Sequence, residues 1–346
     1  MKKTILLTFL FTTLLFSCKK DKPPVATTIV TTPTNTANSF LLVCNEGNFR
    51  TGTASISRIE TDGSVTLDMF KTTNNRPLGD VVQSITYIDN KYYIAVNGSA
   101  KIEVVNASDF KSITTIRGIS SPRYILPIGN NRAYVSNLKL TNTTNYVYEI
   151  NSETITITDS IMINGWSEKM VQVGNKVYIT NVTNNYLYVI NTLTNTIEST
   201  ITLSEAVTDI AKDNVNNVWV LCGDYNTQPN TVAYVNTSTN TVTKTINFIT
   251  DSNFMHIVYD ATHDDIYLLN GDILKLNKTT NAFQTVVSKG THVFYNFNID
   301  AKNNQLILCD ALDFSQRGYV YKYDLTNYTL LSTTKVGEIP SEVLVR

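Results

Sequence analysis

The side chains able to do chemistry in this sequence sit in short irregular segments rather than in one compact motif. Asn45-Glu46-Gly47-Asn48-Phe49-Arg50 joins a carboxylate, two amides, a guanidinium and an aromatic ring. Comparable mixtures recur around Arg76, Arg123, Trp166, Asp224 and Tyr225, Phe254 and His256, His292 and Tyr295, and Asp310, Asp313 and Phe314. Amides, hydroxyls and guanidinium groups both donate and accept hydrogen bonds, and Trp, Tyr and Arg are the residues that anchor interfaces. The chemistry they suit is recognition. Bond-breaking signatures are missing: no His-x-x-x-His or Cys-x-x-Cys zinc pair, no Gly-x-Ser-x-Gly nucleophile turn and no phosphate loop. Glu46, Asp224, Asp272, Asp310 and Asp313 would make a calcium-assisted hydrolase if they converged, but no Asp-x-Asp loop has the full calcium spacing. His256 and His292 are able to ligate a metal, with an ordinary hydrogen-bonded role as the alternative. His263-Asp264-Asp265 reads as a solvated turn. The expectation is a binding protein without catalytic residues, resident metal or cofactor.

Such scattered residues need a scaffold that gathers them, and internal repeats supply it. A short apolar strand recurs as Phe40 to Cys44, Tyr92 to Val96, Ala133 to Asn137, Val177 to Asn181, Val218 to Cys222, Ile266 to Asn270 and Gln305 to Cys309. That makes seven copies, spaced by about 40 to 50 residues. A second strand follows each, ending in an apolar residue and then Asn or Asp, as in Val105-Asn106, Ile150-Asn151, Ile190-Asn191 and Val235-Asn236. The first repeat has Ile59-Glu60 instead. Asn and Asp close turns because their side chains bond nearby backbone and tolerate left-handed conformations. An alternating strand comes next, and a further strand precedes every copy but the first. The missing partner appears at the other end, in Ser341-Glu342-Val343-Leu344-Val345. Four strands per repeat, alternation of period two and a tail that completes the head predict an all-β, seven-bladed β-propeller of four-stranded antiparallel blades, its ring closed by the C-terminal strand. The links between blades, and those from second to third strand, then open on one face, and they carry the irregular segments. Loops on a rigid scaffold commonly carry function.

Composition bounds the rest. The formal charge is −1 and charged residues make up 16%, so no positive field for nucleic acid exists. Lys2 and Lys3 precede an apolar stretch, Thr4 to Phe16, that is too short to span a bilayer and has the layout of a signal peptide. Residues 1–17 are therefore expected to be a signal peptide, 18–38 a flexible tether and 39–346 the propeller. Cys44, Cys222 and Cys309 follow Cys18 and fall at one repeat-equivalent position, as small core residues, with a disulfide or reactive role as the alternative.

Four resemblances add to this reading. Leu15-Phe16-Ser17-Cys18 resembles the lipobox of bacterial lipoproteins, which implies lipid on Cys18 and a membrane anchor; an ordinary secretion signal is the alternative. Lys19-Lys20-Asp21-Lys22 resembles the signals that send lipoproteins to the outer face of the outer membrane, with a periplasmic orientation as the alternative. Tyr178-Ile179-Thr180-Asn181 with Val189-Ile190-Asn191-Thr192 resembles the YVTN-type, YncE-like propellers. Asn45 to Asn48, with Asp310 to Phe314, Gly318 and Tyr321 to Asp324, is similar to the surface propeller lipoproteins that partner outer-membrane receptors, one branch of which binds cobalamin. That resemblance implies capture of a scarce nutrient, such as cobalamin, and its delivery to an outer-membrane receptor. A protein-interaction or surface-layer module and a calcium-assisted hydrolase or lactonase are the alternatives.

Overall fold

The computed structural model describes residues 39–138, 144–223, 231–248 and 256–346; Cys18, Asp224, Tyr225 and Phe254 lie outside them. The described chain runs through seven four-stranded antiparallel sheets. The first holds β1 (Leu41–Asn45), β2 (Ser55–Ile59) and β3 (Val65–Thr66), and a short helix, α1 (Met69–Asn74), leads out of it. Blade 2 follows with β4 (Val82–Ile88), β5 (Lys91–Val96), β6 (Lys101–Asn106) and β7 (Ser112–Arg117). Blade 3 is β8 (Pro122–Gly129), β9 (Arg132–Asn137), β10 (Thr144–Asn151) and β11 (Thr156–Asn164). Blade 4 is β12 (Ser167–Val173), β13 (Lys176–Asn181), β14 (Tyr186–Asn191) and β15 (Thr196–Thr202). Blade 5 is β16 (Val207–Lys212), β17 (Val218–Cys222), β18 (Thr231–Asn236) and β19 (Thr241–Asn247). Blade 6 contains β20 (His256–Asp260), β21 (Asp265–Asn270), β22 (Asp272–Leu276) and β23 (Phe283–Val287). Blade 7 has β24 (Phe294–Asp300), β25 (Gln305–Asp310), β26 (Arg317–Asp324) and β27 (Leu330–Glu338). The last strand, β28 (Pro340–Val345), returns to the first blade as its innermost member.

Closure occurs where the repeats place it. β28 pairs antiparallel with β1 through Leu41↔Val345, Leu42↔Leu344, Val43↔Val343 and Cys44↔Glu342. Phe40 and Arg346 extend the ladder with two reciprocal backbone bonds of 2.9 Å. The inner strands β28, β4, β8, β12, β16, β20 and β24 then touch in sequence around one axis.

The period-two pattern explains why the second strand of each blade is buried on both sides. In β17, Val218, Val220 and Cys222 pack toward blade 4, while Trp219 and Leu221 pack toward blade 6. In β5, Tyr92, Ile94 and Val96 face blade 1, and Tyr93 and Ala95 face blade 3. Among the described residues the apolar core divides into seven clusters, one at each junction, including the Val43–Ile307–Val343 cluster that joins blade 7 to blade 1. Burying one such side chain contributes about 1.5–3 kcal/mol, and in a closed ring no blade lacks a neighbour on which to do so.

The turns behave as their residue types dictate. Asn106, Asn151, Asn191, Asn236, Asn277 and Asp324 each accept a hydrogen bond on Oδ1 from the backbone N–H two residues on. His263 lies in the turn after β20, with Nδ1 2.6 Å from Asp260, and Asp264 takes a left-handed φ of 57° there.

One expectation needs correcting. All three described cysteines are free and buried, but they do not share one position. Cys44 and Cys309 stand opposite Glu342 and Asn296, whereas Cys222 stands one residue further along, opposite Val207. Equal strand lengths hid the offset: the ladders place Leu42 and Ile307, not Leu41 and Leu306, level with Tyr178. Burial pushes the Cys222 thiol up to about 12 and also raises those of Cys44 and Cys309 well above the ordinary thiol value, so all three are inert packing groups.

Candidate functional site: a polar ring at the channel mouth

The links between blades and from second to third strand share one end of the ring, called here the upper face. The inner strands begin there, and a β-bulge follows at once in six of the seven inner ladders. A bulge re-aims side chains and breaks the regular alternation. Its result is a common position, two residues past the first rung, occupied by Ser84, Tyr124, Lys169, Asp209, Asn296 and Glu342. His256, opposite Leu269, takes the corresponding place in blade 6. Polar side chains from all seven blades thus line the mouth of the central channel. The preceding position adds Gln83, Arg123, Glu168, Thr208, Tyr295 and Ser341.

These groups form a connected network. Lys169 crosses from blade 4 to Glu342 of blade 1, Nζ to Oε2 3.4 Å, and its ammonium lies 3.9 Å from the centre of the Tyr124 ring. Arg123 Nε meets both Glu168 oxygens at 2.9 and 3.0 Å, and its Nη1 donates to Gln83 Oε1. Gln83 Nε2 in turn donates to the Tyr124 hydroxyl at 3.0 Å. Asn296 Nδ2 donates to the Ser341 carbonyl and, at 3.3 Å, to Glu342 Oε2. His256 Nδ1 lies 3.1 Å from Asp209 Oδ2. The Tyr295 hydroxyl donates toward Glu46 at 3.4 Å.

The electrostatics follow from burial against pairing. Burial works to lower the Lys169 pKa, but Glu342, Tyr124 and Asp209 reverse it, and the ammonium is held well above its ordinary value. Burial likewise opposes the Arg123 charge, and Glu168 and Tyr124 outweigh it. Asp209 would be raised by burial, yet the His256 hydrogen bond and Lys169 bring it below the usual carboxylate range. Glu46 is the exception: burial raises it to about 7, against partial relief from Arg123, Ser341 and Tyr295. Side-chain exposures of 21% for Lys169 and 23% for Glu342 show that the channel still admits solvent to them. The ring is therefore wet, preorganised and of mixed sign.

Of the residues singled out from the sequence, Glu46, Arg123, His256 and Tyr295 belong to this ring. The Asn-Glu-Gly-Asn segment works mainly as the clip that holds Glu46. Asn45 is fully buried, its amide donating to Ser57 Oγ at 3.0 Å and accepting from Gly337 N–H at 3.0 Å. Gly47 has φ +72°, and a Cβ there would stand 2.6 Å from the Ala54 nitrogen. Asn48 Nδ2 donates to Glu338 at 2.9 Å. Asp310 is also fully buried; it accepts from Val293 N–H and Leu312 N–H and holds His292 Nδ1 at 2.9 Å. Gly318 lies against it, where a Cβ would come 2.2 Å from the Asp310 carbonyl. Asp313 caps its own loop through Ser315 and Gln316. Arg76 forks onto Glu103 and Ser112, away from the axis. The Arg50 backbone N–H donates to Asp80, while Phe49 stands 67% exposed on the upper face. Phe314 packs edge-on to Tyr295 at 5.2 Å. Trp166 is half-buried, and its backbone N–H donates to Thr183 Oγ1 at 3.1 Å.

Two corrections follow. The carboxylates Glu46, Asp272, Asp310 and Asp313 do not converge, because Asp272 accepts from the Lys289 N–H, Asp310 from the Val293 N–H and Asp313 from the Ser315 N–H, each at a separate place. No three metal-ligating side chains come together among the described residues. Conversely, Tyr124 belongs to an irregular segment that the sequence does single out, Ser121-Pro122-Arg123-Tyr124, whereas Gln83, Glu168, Lys169, Asp209, Asn296 and Glu342 do not stand out in the sequence. They lie inside strands, and attention to irregular loops passed over them. Stacking the seven repeats and reading down the start of the inner strand would have found a polar column in an otherwise apolar strand.

Residues 39–342 match the family described as a domain of unknown function (DUF5074). None of the curated proteins matches the sequence. Among solved structures, a quinonprotein alcohol dehydrogenase-like protein from Bacteroides thetaiotaomicron superposes with a TM-score of 0.67 at 12% identity, covering 89% of this chain and 79% of that one. Hydrazine synthase of Kuenenia stuttgartiensis gives 0.63 at 13% identity, covering 74% and 92%. The dihydro-heme d1 dehydrogenase NirN gives 0.60 at 10% identity, covering 89% and 75%. Likeness at this identity concerns the fold alone.

Proposed function

The chain belongs to the DUF5074 family, and we propose that its propeller is a binding module, not an enzyme, that captures a neutral nutrient on the axial ring. The observation that carries this reading is the common register position that brings one polar side chain from every blade to the channel mouth. Such a ring combines donors (Arg123, Tyr124 and Lys169 on blades 3 and 4) with acceptors (Asp209, Glu342 and Glu46 on blades 5 and 1), and hydrogen bonds and ion pairs to neighbouring side chains hold them in place before a ligand arrives. A large ligand fringed with amides matches both kinds of group. Cobalamin, neutral overall and rich in amides, is the ligand to test first, in line with the resemblance of Asn45 to Asn48 and Asp310 to Phe314. Phe49, Val293 and Phe314, 67%, 40% and 43% exposed on the same face, offer an apolar lip for the outer-membrane receptor that would take the ligand onward. Lipid on Cys18 would keep the propeller at the cell surface, within reach of that receptor.

Calorimetry with a protein starting at Ser39, which contains every strand of the ring, tests the reading. Cobalamin is expected to bind with measurable heat, and Arg123→Ala and Lys169→Met are each expected to weaken it by tenfold or more. Absence of both heat and thermal shift removes cobalamin. Undiminished binding in both variants moves the site off the axial ring.

A further inference from the structure

Four blade junctions are tied together on the lower face by one repeated tyrosine hydrogen bond, and at a fifth the same strand position carries a polar-tipped side chain that makes no such bond. Tyr93 of blade 2 donates to the Ser152 carbonyl in the outer turn of blade 3 at 3.0 Å. Tyr134 donates to Asn195 Oδ1 in the corresponding turn of blade 4. Tyr178 reaches Thr237 and Asn240 in blade 5, at 3.1 and 2.7 Å, and Tyr267 reaches Tyr328 in blade 7 at 3.0 Å. Blade 5 has Trp219 at this position. Its side chain is 3% exposed, and its indole Nε1–H has no acceptor. The turn it would have met, in blade 6, is held instead by Lys244, whose Nζ donates to the Lys278 carbonyl and to Asn281 Oδ1, each at 2.9 Å.

A cavity of about 310 Å³ opens at this junction. Trp219 and Tyr234, with ring centres 4.5 Å apart, form one wall, Val215 lies 70% exposed at the rim, and Asp213, Asp264, Lys244 and Lys278 complete the lining. The charges sum to zero. Asp213 is held by Tyr234 and by the N–H groups of Val215 and Asn217, and Asp264 by Lys278 and Tyr259. The polar groups are therefore fixed in direction, with donors and acceptors side by side over an aromatic and aliphatic surface.

We propose that this lower-face cleft between blades 5 and 6 is a second binding site, for an uncharged pyranose sugar. A sugar ring carries hydroxyls that donate to carboxylates and accept from ammonium groups, together with an apolar C–H face that suits the Trp219–Tyr234 wall and Val215. The absence of net charge in the lining matches a ligand that has none. The volume stands at the lower end of small-molecule pockets, roughly 300–1,000 Å³, which suits a mono- or disaccharide. The site is separate from the axial ring and does not depend on what binds there.

The test uses the protein from Ser39 onward with ¹⁵N-labelled tryptophan. The chain has two tryptophans, so two indole N–H signals report independently. Glucose, galactose, mannose and N-acetylglucosamine are titrated in turn. At least one is expected to shift the Trp219 signal saturably and leave the Trp166 signal in place. Lys244→Met is expected to weaken that binding by tenfold or more. Trp219→Tyr installs the residue used at four other junctions; followed by calorimetry, it is expected to abolish sugar binding without lowering the melting temperature. The proposal is overturned if no sugar moves the Trp219 signal, if a zwitterionic amino acid moves it in place of the sugars, or if stably folded Trp219→Tyr binds sugar as before.

Discussion

Glu46 shows how one clip residue sets the charge of the ring. Gly47 and Asn48 hold it over the channel, and burial there raises its pKa to about 7. A glutamate in the unfolded chain titrates near 4.3. Between these values the native state keeps a proton that the unfolded chain has released, so stability falls as pH rises through this window and levels off above it. Glu46→Gln removes that loss. The variant is expected to be more stable than the parent at pH 8, by on the order of 1–3 kcal/mol, with the gap closing below about pH 5. Denaturant midpoints at the two pH values measure it, and a gap that stays constant with pH would show that Glu46 is not the group responsible. The residue was legible in the sequence as a loop carboxylate. Its shifted ionisation was not, because it depends on Arg123, Tyr295 and Ser341, which arrive from other blades.

The elements repeat one economy: an apolar strand buried on both sides, an Asx-closed turn and, in four blades, a tyrosine that reaches forward to a neighbouring blade. The strand and turn were readable from period and residue type, and the observed turns at Asn151, Asn191 and Asn236 follow them. The tyrosine lock was present in the repeats as Tyr93, Tyr134, Tyr178 and Tyr267, yet its purpose needed the neighbouring blade. Tyr178→Phe deletes one hydroxyl that bridges to Thr237 and Asn240 and leaves the ring packing intact. A loss of about 0.5–1.5 kcal/mol is expected, seen as a lower melting temperature with unchanged circular dichroism. An unaltered melting temperature would mean that the lock adds nothing to the apolar contact between blades.

At the scale of the whole molecule, closure is the organising feature. β28 gives blade 1 its inner strand and joins the core clusters on either side of it. Removing residues 340–346 would expose the backbone edge of β1, a template for pairing with other chains, and would strip Val343 from the junction with blade 7. The truncated protein is expected to lose its cooperative thermal transition and to associate in size-exclusion chromatography. A monomer with an unchanged transition would show that the tail is not the seal.

Alternation of side chains, turn chemistry and a tail that matches the head are local or nearly local properties, so the amino-acid sequence by itself determined the strands, their sevenfold count and the manner of closure. Which side chains meet at the axis was decided only in three dimensions. The bulges at the start of the inner strands bring Tyr124, Lys169, Asp209 and Glu342 together from positions far apart in the chain. Lys169 finds Glu342 across the channel for the same reason. Local periodicity specifies which face of a strand is apolar; it contains no information about the partner on the far side of a ring.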